Sequence, residues 1–468
     1  MYLSALTLEE KVGKLFVVPI CPTHGEKHIE KVHKLLKEKY IGSVIFMEGT
    51  SSEQKHILQL LAMQLLTFQD AEWGVGMRLM DIPPMPKNLT LGAIQDLELL
   101  RAFGRELARQ SLSVGIDCPL APVVDVNSNP KNPVIGKRSF GDDPHEVASR
   151  ALAVMEGMQE GGILACAKHF PGHGDTAVDS HLSLPKIDKS LEDIENAELV
   201  PFHRLIDAGV DLVMVGHLQF PALSVDPSSL SYEIITELLR EKLGFEGVVI
   251  TDALNMRALS LNYLIEEVVT KTLLAGTDLL LLAASRPDVI DYLIDVAIPR
   301  AIDHIIATIP EELIDQKLER IRALHKTHSE IPGKQPELCR TLYRHAVTRI
   351  GKEIPLGRAV ALVQNQPDPI FENFLRSHAE VLCFSYEEME KASAFPHVIV
   401  QVGPNDFPSK LPEHAIVALF DVPYKLAAIP QTAAVIGYED VPFAKEAVAD
   451  VLFGKIPALG KLPIQVYE

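Results

Sequence analysis

Short apolar, often β-branched runs recur along the first two thirds of the chain, at residues 15–20, 43–47, 65–68, 116–126, 163–169, 212–217, 247–251 and 278–282. Longer amphipathic stretches lie between them. Leu100, Phe103 and Leu107, for example, recur at i, i+3, i+7 among good helix formers. Strand-length runs separated by helix-length segments are the pattern of βα units on a parallel sheet. Eight such units in about 330 residues predict a (β/α)8 TIM-like barrel, although a doubly wound open sheet would leave the same local signal.

The pattern breaks at Ile331-Pro-Gly-Lys-Gln-Pro336, where two prolines and a glycine fall within six residues. A helical pattern over residues 337–350 follows, and then five more short strands are predicted at 359–363, 381–384, 397–402, 415–420 and 433–436. The expected organisation is a catalytic barrel over residues 1–335 and a smaller C-terminal α/β sandwich over 336–468.

Composition narrows the function classes. At 47% hydrophobic and 23% charged residues, the chain has the apolar content to build a core, which excludes disorder. Forty-four Lys and Arg against 63 Asp and Glu give a formal charge of −19, and nucleic-acid binding would need a basic footprint instead. No apolar run is long enough for a membrane helix; the richest, residues 273–282, is interrupted by Asp278. The N-terminus has no basic head and leads directly into Glu9-Glu10-Lys11, so a cytoplasmic location without a leader is expected, although a mature secreted chain would read the same. Cys21, Cys118, Cys166, Cys339 and Cys383 are scattered and odd in number, which predicts buried free thiols without a chemical role.

The active site of a parallel barrel lies at the C-terminal ends of its strands. Polar residues gather at those ends: Asp70 and Glu72 with Arg78 after the third run, and Asp125 at the end of the fourth with Arg138 in the loop beyond. Lys168 and His169 end the fifth, His217 the sixth and Asp252 the seventh. A single carboxylate after a strand is commonly just the cap of the next helix, but five ends on one face point to a site. The densest segment, Lys168-His-Phe-Pro-Gly-His-Gly-Asp-Thr-Ala-Val-Asp-Ser-His181, holds three histidines and two aspartates and reads as a loop over the barrel mouth. A metal site built on His169, His173 and His181 lacks any regular ligand spacing. In the alternative, Asp179 orients His181 as an acid–base group. Asp252, delivered by the apolar run Gly247-Val-Val-Ile-Thr, suits a covalent nucleophile.

Together these segments resemble the family 3 glycoside hydrolases, and within them the bacterial β-N-acetylglucosaminidases of the NagZ type. The marker is Lys168-His-Phe-Pro-Gly-His-Gly174 followed by Asp179-Ser-His181; residues 247–256, Arg138-Ser-Phe-Gly-Asp-Asp-Pro144, the Asp70–Arg78 run and the ending 451–463 are similar too. Two departures stand out: Trp73 and Val75 replace small and basic residues of many relatives, and Ala253 stands where many carry a second Asp. The resemblance implies a barrel plus sandwich and a retaining exo-β-N-acetylglucosaminidase acting on peptidoglycan fragments. It further implies Asp252 as nucleophile, His181 with Asp179 as acid/base dyad, and sugar binding by Asp70, Arg78, Arg138, Lys168 and His169. No cofactor or metal is implied, and the expected partner is a small carbohydrate. A phosphorylase on the same fold and a non-catalytic sugar-binding protein remain as alternatives.

Overall fold

A computed structural model describes residues 5–176, 183–324, 333, 335–406, 408, 410–428 and 433–466. The first part is a ring of parallel strands. Strands β1 (Phe16–Ile20), β2 (Ser43–Phe46), β3 (Leu66–Gln69) and β7 (Leu280–Leu281) form one arc in the order β3-β2-β1-β7. Strands β4 (Cys166–Phe170), β5 (Leu212–Val215) and β6 (Val248–Thr251) form the other. Parallel bridges Phe68↔Cys118, Val123↔Lys168 and Ile250↔Leu279 join the arcs, so that residues 118–123 complete the ring as its fourth stave.

The predicted strand over 116–126 is thus present in place but not as a regular ladder. Pro119 and Pro122 have no N–H to donate, and pairing is confined to isolated bonds such as Gln69 N to Cys118 O and Cys166 N to Ala121 O. The remaining barrel strands coincide with the predicted runs, β3 and β4 each extending one residue beyond. Their residues are buried on both faces, as expected of parallel strands covered by helices. Helix Leu97–Ser113 buries Leu100, Phe103 and Leu107, the stripe read from the sequence. The helices Glu311–Ala323 and Leu338–Ala346 lie on either side of the Pro/Gly break.

A smaller α/β domain follows. Its strands β8 (Thr348–Gly351), β9 (Ala359–Gln364), β10 (Glu380–Ser385), β11 (Val398–Val402), β12 (Ala415–Leu419) and β13 (Ala433–Ile436) form one sheet in the order β10-β9-β11-β12-β13-β8. All pairs are parallel except β8 with β13. Strand β8 corrects the expectation of a helix over 337–350, which stops at Ala346. Alternate residues of this sheet face two apolar layers. Val360, Leu362, Ile399, Ile416 and Val435 pack in a separate core, whereas Ala361, Val363, Val400, Val417 and Ala434 join the core that includes the barrel.

This domain rests on loops at the barrel mouth. Thr90 Oγ1 donates to Glu439 Oε1 at 2.6 Å, Asn127 Nδ2 to Tyr424 OH at 3.0 Å, and Lys137 Nζ meets Asp421 Oδ1 at 2.6 Å. Among the described residues no helix is long and apolar enough to cross a membrane. Cys21, Cys118 and Cys166 are buried free thiols, but Cys339 is half-buried and Cys383 lies exposed on the sheet-edge strand β10. The expectation of uniformly buried cysteines therefore fails for these two.

Candidate active site

The C-terminal ends of the barrel strands open into a cavity of about 590 Å³ lined by Asp70, Glu72, Arg78, Arg138, Lys168, His169, His173 and Asp252 among others. The ring topology explains the convergence. Several of the strands are apolar runs followed by polar residues, and a closed ring of parallel strands brings those ends to one rim.

Two carboxylates, buried Glu72 and half-buried Asp70, organise the cations. Glu72, only 2% exposed, accepts from Arg138 Nε at 3.0 Å and Nη2 at 2.7 Å, and its Oε1 meets Lys168 Nζ at 2.8 Å. Asp70 takes Arg78 Nη2 at 2.5 Å on Oδ2 and Lys168 Nζ at 3.4 Å on Oδ1. Arg78 continues outward to Glu48 at 2.9 Å. Burial opposes ionisation of both carboxyls. The neighbouring Arg138 and Lys168 outweigh it for Glu72, lowering it to about 2, and Lys168 and Arg78 likewise hold Asp70 well below the usual carboxylate range. The clamp is therefore an ionised lattice throughout the neutral range, presenting cations at fixed positions.

His169 is set by Asp125 at the end of the fourth stave. Its Nδ1 lies 2.8 Å from Asp125 Oδ2, its backbone N–H donates to Oδ1 at 3.2 Å, and its Nε2 lies 3.3 Å from Arg138 Nη2. The backbone N–H of His173 donates to the same Asp125 Oδ1 at 2.7 Å. Burial, reinforced by the nearby His169, pushes the His173 imidazole down to about 4, so it is neutral at physiological pH.

Asp252 follows β6 directly. Its backbone N–H donates to Val215 O at 2.9 Å, and its Oδ1 accepts from the next N–H, of Ala253, at 2.7 Å. Burial raises its carboxyl, but the fields of His169 and His217 prevail and hold it below its ordinary value. Buried His217 supports the same turn: its Nε2 donates to Ala253 O at 3.0 Å, and its Nδ1 lies 2.8 Å from Ser229 Oγ.

The residues Asp70, Arg78, Arg138, Lys168, His169 and Asp252, expected from sequence, all line this one cavity. Asp179 and His181 lie outside the described residues. Three residues carry more than the sequence reading assigned. Glu72 is the centre of the clamp, Asp125 holds both His169 and His173, and His217 braces the turn after Asp252; each was visible only as a polar residue near a strand end.

Residues 7–324 match the glycosyl hydrolase family 3 N-terminal domain. The chain belongs to glycosyl hydrolase family 3. As a member of that family it is a glycoside hydrolase. β-Hexosaminidase A of Pseudoalteromonas piscicida is 39% identical over 215 residues, 42% of this chain and 35% of that protein, so the chain spans about a third of that relative's length. A β-hexosaminidase of Chromobacterium violaceum is 34% identical over 267 residues, 55% of this chain and 71% of that one. A family 3 β-N-acetylglucosaminidase from Paenibacillus sp. str. FPU-7 superposes with a TM-score of 0.82 at 28% identity, covering 98% of this chain and 99% of that one. Both parts of the family 3 chain therefore share their architecture with a solved family 3 enzyme.

Proposed function

We propose that this chain is a retaining exo-β-N-acetylglucosaminidase whose catalytic unit is residues 1–335, with residues 336–468 as its supporting sandwich domain. The observation that carries the reading is the Asp252 carboxylate, held below its ordinary pKa and sharing one cavity with a clamp of fixed cations. The relatives and the Paenibacillus enzyme, named as β-hexosaminidases and a β-N-acetylglucosaminidase, supply the sugar. The natural substrate that fits the sequence resemblance is a peptidoglycan fragment with a terminal N-acetylglucosamine, cleaved in the cytoplasm.

In the first step the Asp252 carboxylate attacks the anomeric carbon, the bond to the leaving oxygen breaks, and cationic His181 protonates that oxygen. In the second, neutral His181 takes a proton from water, which attacks the same carbon and releases Asp252 with net retention. Asp179 favours the cationic form of the imidazole. Arg138, Lys168 and His169 donate to the sugar hydroxyls and the acetamido group, while Asp70, fixed by Arg78, accepts.

Trapping with a 5-fluoro N-acetylglucosaminyl donor carrying an activated leaving group, followed by peptide mass spectrometry, is expected to label Asp252. Asp252→Ala is expected to abolish both labelling and release of nitrophenol from a nitrophenyl N-acetylglucosaminide. A label on another residue, or turnover near wild type in the variant, overturns the assignment.

A further inference from the structure

Residues 168–176 leave the barrel at β4 and residues 183–190 lead into the helix Leu191–Asn196, and these two described stems meet at one buried charge. Glu198 has a side chain with no exposed surface, yet it lies just after that short helix and far from the sugar clamp along the chain. Lys189 Nζ meets Glu198 Oε1 at 2.5 Å and Asp175 Oδ2 at 3.3 Å. Asp175 belongs to the outgoing stem and Lys189 to the returning one, so this ammonium closes a chord across the loop and fastens it to the barrel body.

The surroundings brace both sides of the chord. On the outgoing stem, Asn132 Nδ2 donates to the carbonyls of His173 and Gly174 at 2.9 Å each. Gly172 passes so close to Glu198 that an added Cβ would sit 2.7 Å from its Cβ and Cγ. On the returning stem, Ile187 N donates to Gln219 O and Gln219 N to Pro185 O, both at 2.9 Å. Glu198 Oε2 is buried with no partner. Burial disfavours the charge on Lys189, but the hydrogen bond it donates to Glu198 and the charges of Glu198 and Asp175 together outweigh it, so the ammonium persists. Removing that ammonium would strand a buried carboxylate and open the chord.

We infer that Lys189 is a positioning residue for the reaction: by tying Asp175 and Glu198 together it fixes the span across which the loop presents its acid/base group, without touching substrate. This inference rests on the proposed role of His181. Fixing a loop by one chord removes much of the conformational freedom its tip would otherwise have, and small displacements of a proton donor cost large factors in rate.

The test compares wild type, Lys189→Met, Lys189→Arg, Asp175→Asn and His181→Ala on two reactions. One is cleavage of an N-acetylglucosaminyl disaccharide, whose leaving group needs protonation. The other is release from a nitrophenyl glycoside, whose leaving group does not. Lys189→Met is expected to lose about 10- to 100-fold in kcat/KM on the disaccharide and little in kcat/KM on the nitrophenyl substrate, because kcat/KM reports the bond-breaking step in which the leaving oxygen needs its proton. Lys189→Arg restores most of the loss, and Asp175→Asn, which leaves the Glu198 anchor intact and keeps the variant folded, gives a smaller loss of the same selectivity. If His181→Ala discriminates between the substrates but neither Lys189→Met nor Asp175→Asn does, the positioning role is overturned while the acid/base reading stands. If His181→Ala loses equally on both, the acid/base reading falls and the positioning role falls with it.

Discussion

Arg138 donates two bonds to one buried carboxylate and reaches His169 with the same fork, a geometry that the ammonium of lysine cannot reproduce. Arg138→Lys is therefore expected to lower kcat/KM by about 10- to 100-fold, mainly through KM, because charge-assisted bonds of this kind contribute about 1.5–3 kcal/mol. Steady-state kinetics on the nitrophenyl substrate checks it, and an unchanged KM would contradict the clamp. Arg138, Lys168, His169 and Asp252 were legible because a charged residue at the end of an apolar run has few structural uses. Glu72 was not legible as the hub, since its partners lie 66 and 96 positions away in sequence and only the closed ring brings them together. His173 was expected in an open polar loop or as a ligand. Instead it is 1% exposed, with its carbonyl, backbone N–H and Nδ1 engaged by Asn132, Asp125 and Thr176, and it is neutral because burial and the nearby His169 disfavour its charge.

At the level of elements, the outgoing stem of the loop rests directly on the segment after the fourth stave. A Cβ on Gly174 would lie 1.6 Å from Val126 O, so any larger residue must displace one backbone or the other. Gly174→Ala is expected to reduce kcat by about 100-fold, through misplacement of the loop. Kinetics on both substrates, with circular dichroism to verify the fold, reads this out. Strand-by-strand patterning found the barrel because parallel strands are apolar on both faces, and it found five strands of the second sheet for the same reason. It failed where that reason lapses. The fourth stave is carried by two prolines, and β8 is a short, half-exposed antiparallel edge with Arg349 in it, which periodicity cannot separate from the helix before it.

For the whole molecule, the sequence-level charge of −19 conceals a buried cation that serves no part of the site. Lys317 is 0% exposed and its Nζ has no hydrogen-bond partner. Nearby Asp278 already accepts from Arg240 Nη2 at 2.6 Å, Val249 N at 2.8 Å and Arg320 Nε at 2.8 Å. Burial pushes the Lys317 amine from 10.5 down to about 8, only partly countered by Asp278. The unfolded chain then binds more protons than the folded one between those two values. The folding penalty is full below about pH 8, shrinks as pH rises, and is gone above about pH 10.5. Lys317→Met is expected to stabilise the protein at pH 7, by on the order of 3 kcal/mol. That advantage should vanish above pH 10.5 in denaturant titrations at matched pH; equal stability at pH 7 would contradict it.

The two arcs of the ring are held by full ladders internally but by single bridges at the fourth stave. Glu72 and Asp70 follow the first arc, Lys168 sits on the second, and Arg138 comes from the loop beyond the stave between them. The ion pairs proposed to bind the sugar therefore also act as rivets that tie the two arcs together across the fourth stave. In an engineer's terms, stiffness and recognition share the same parts. Pocket redesign that neutralises Glu72 to admit a different sugar would also make the barrel wall more compliant, and a compensating stave-to-strand contact has to be built in with it.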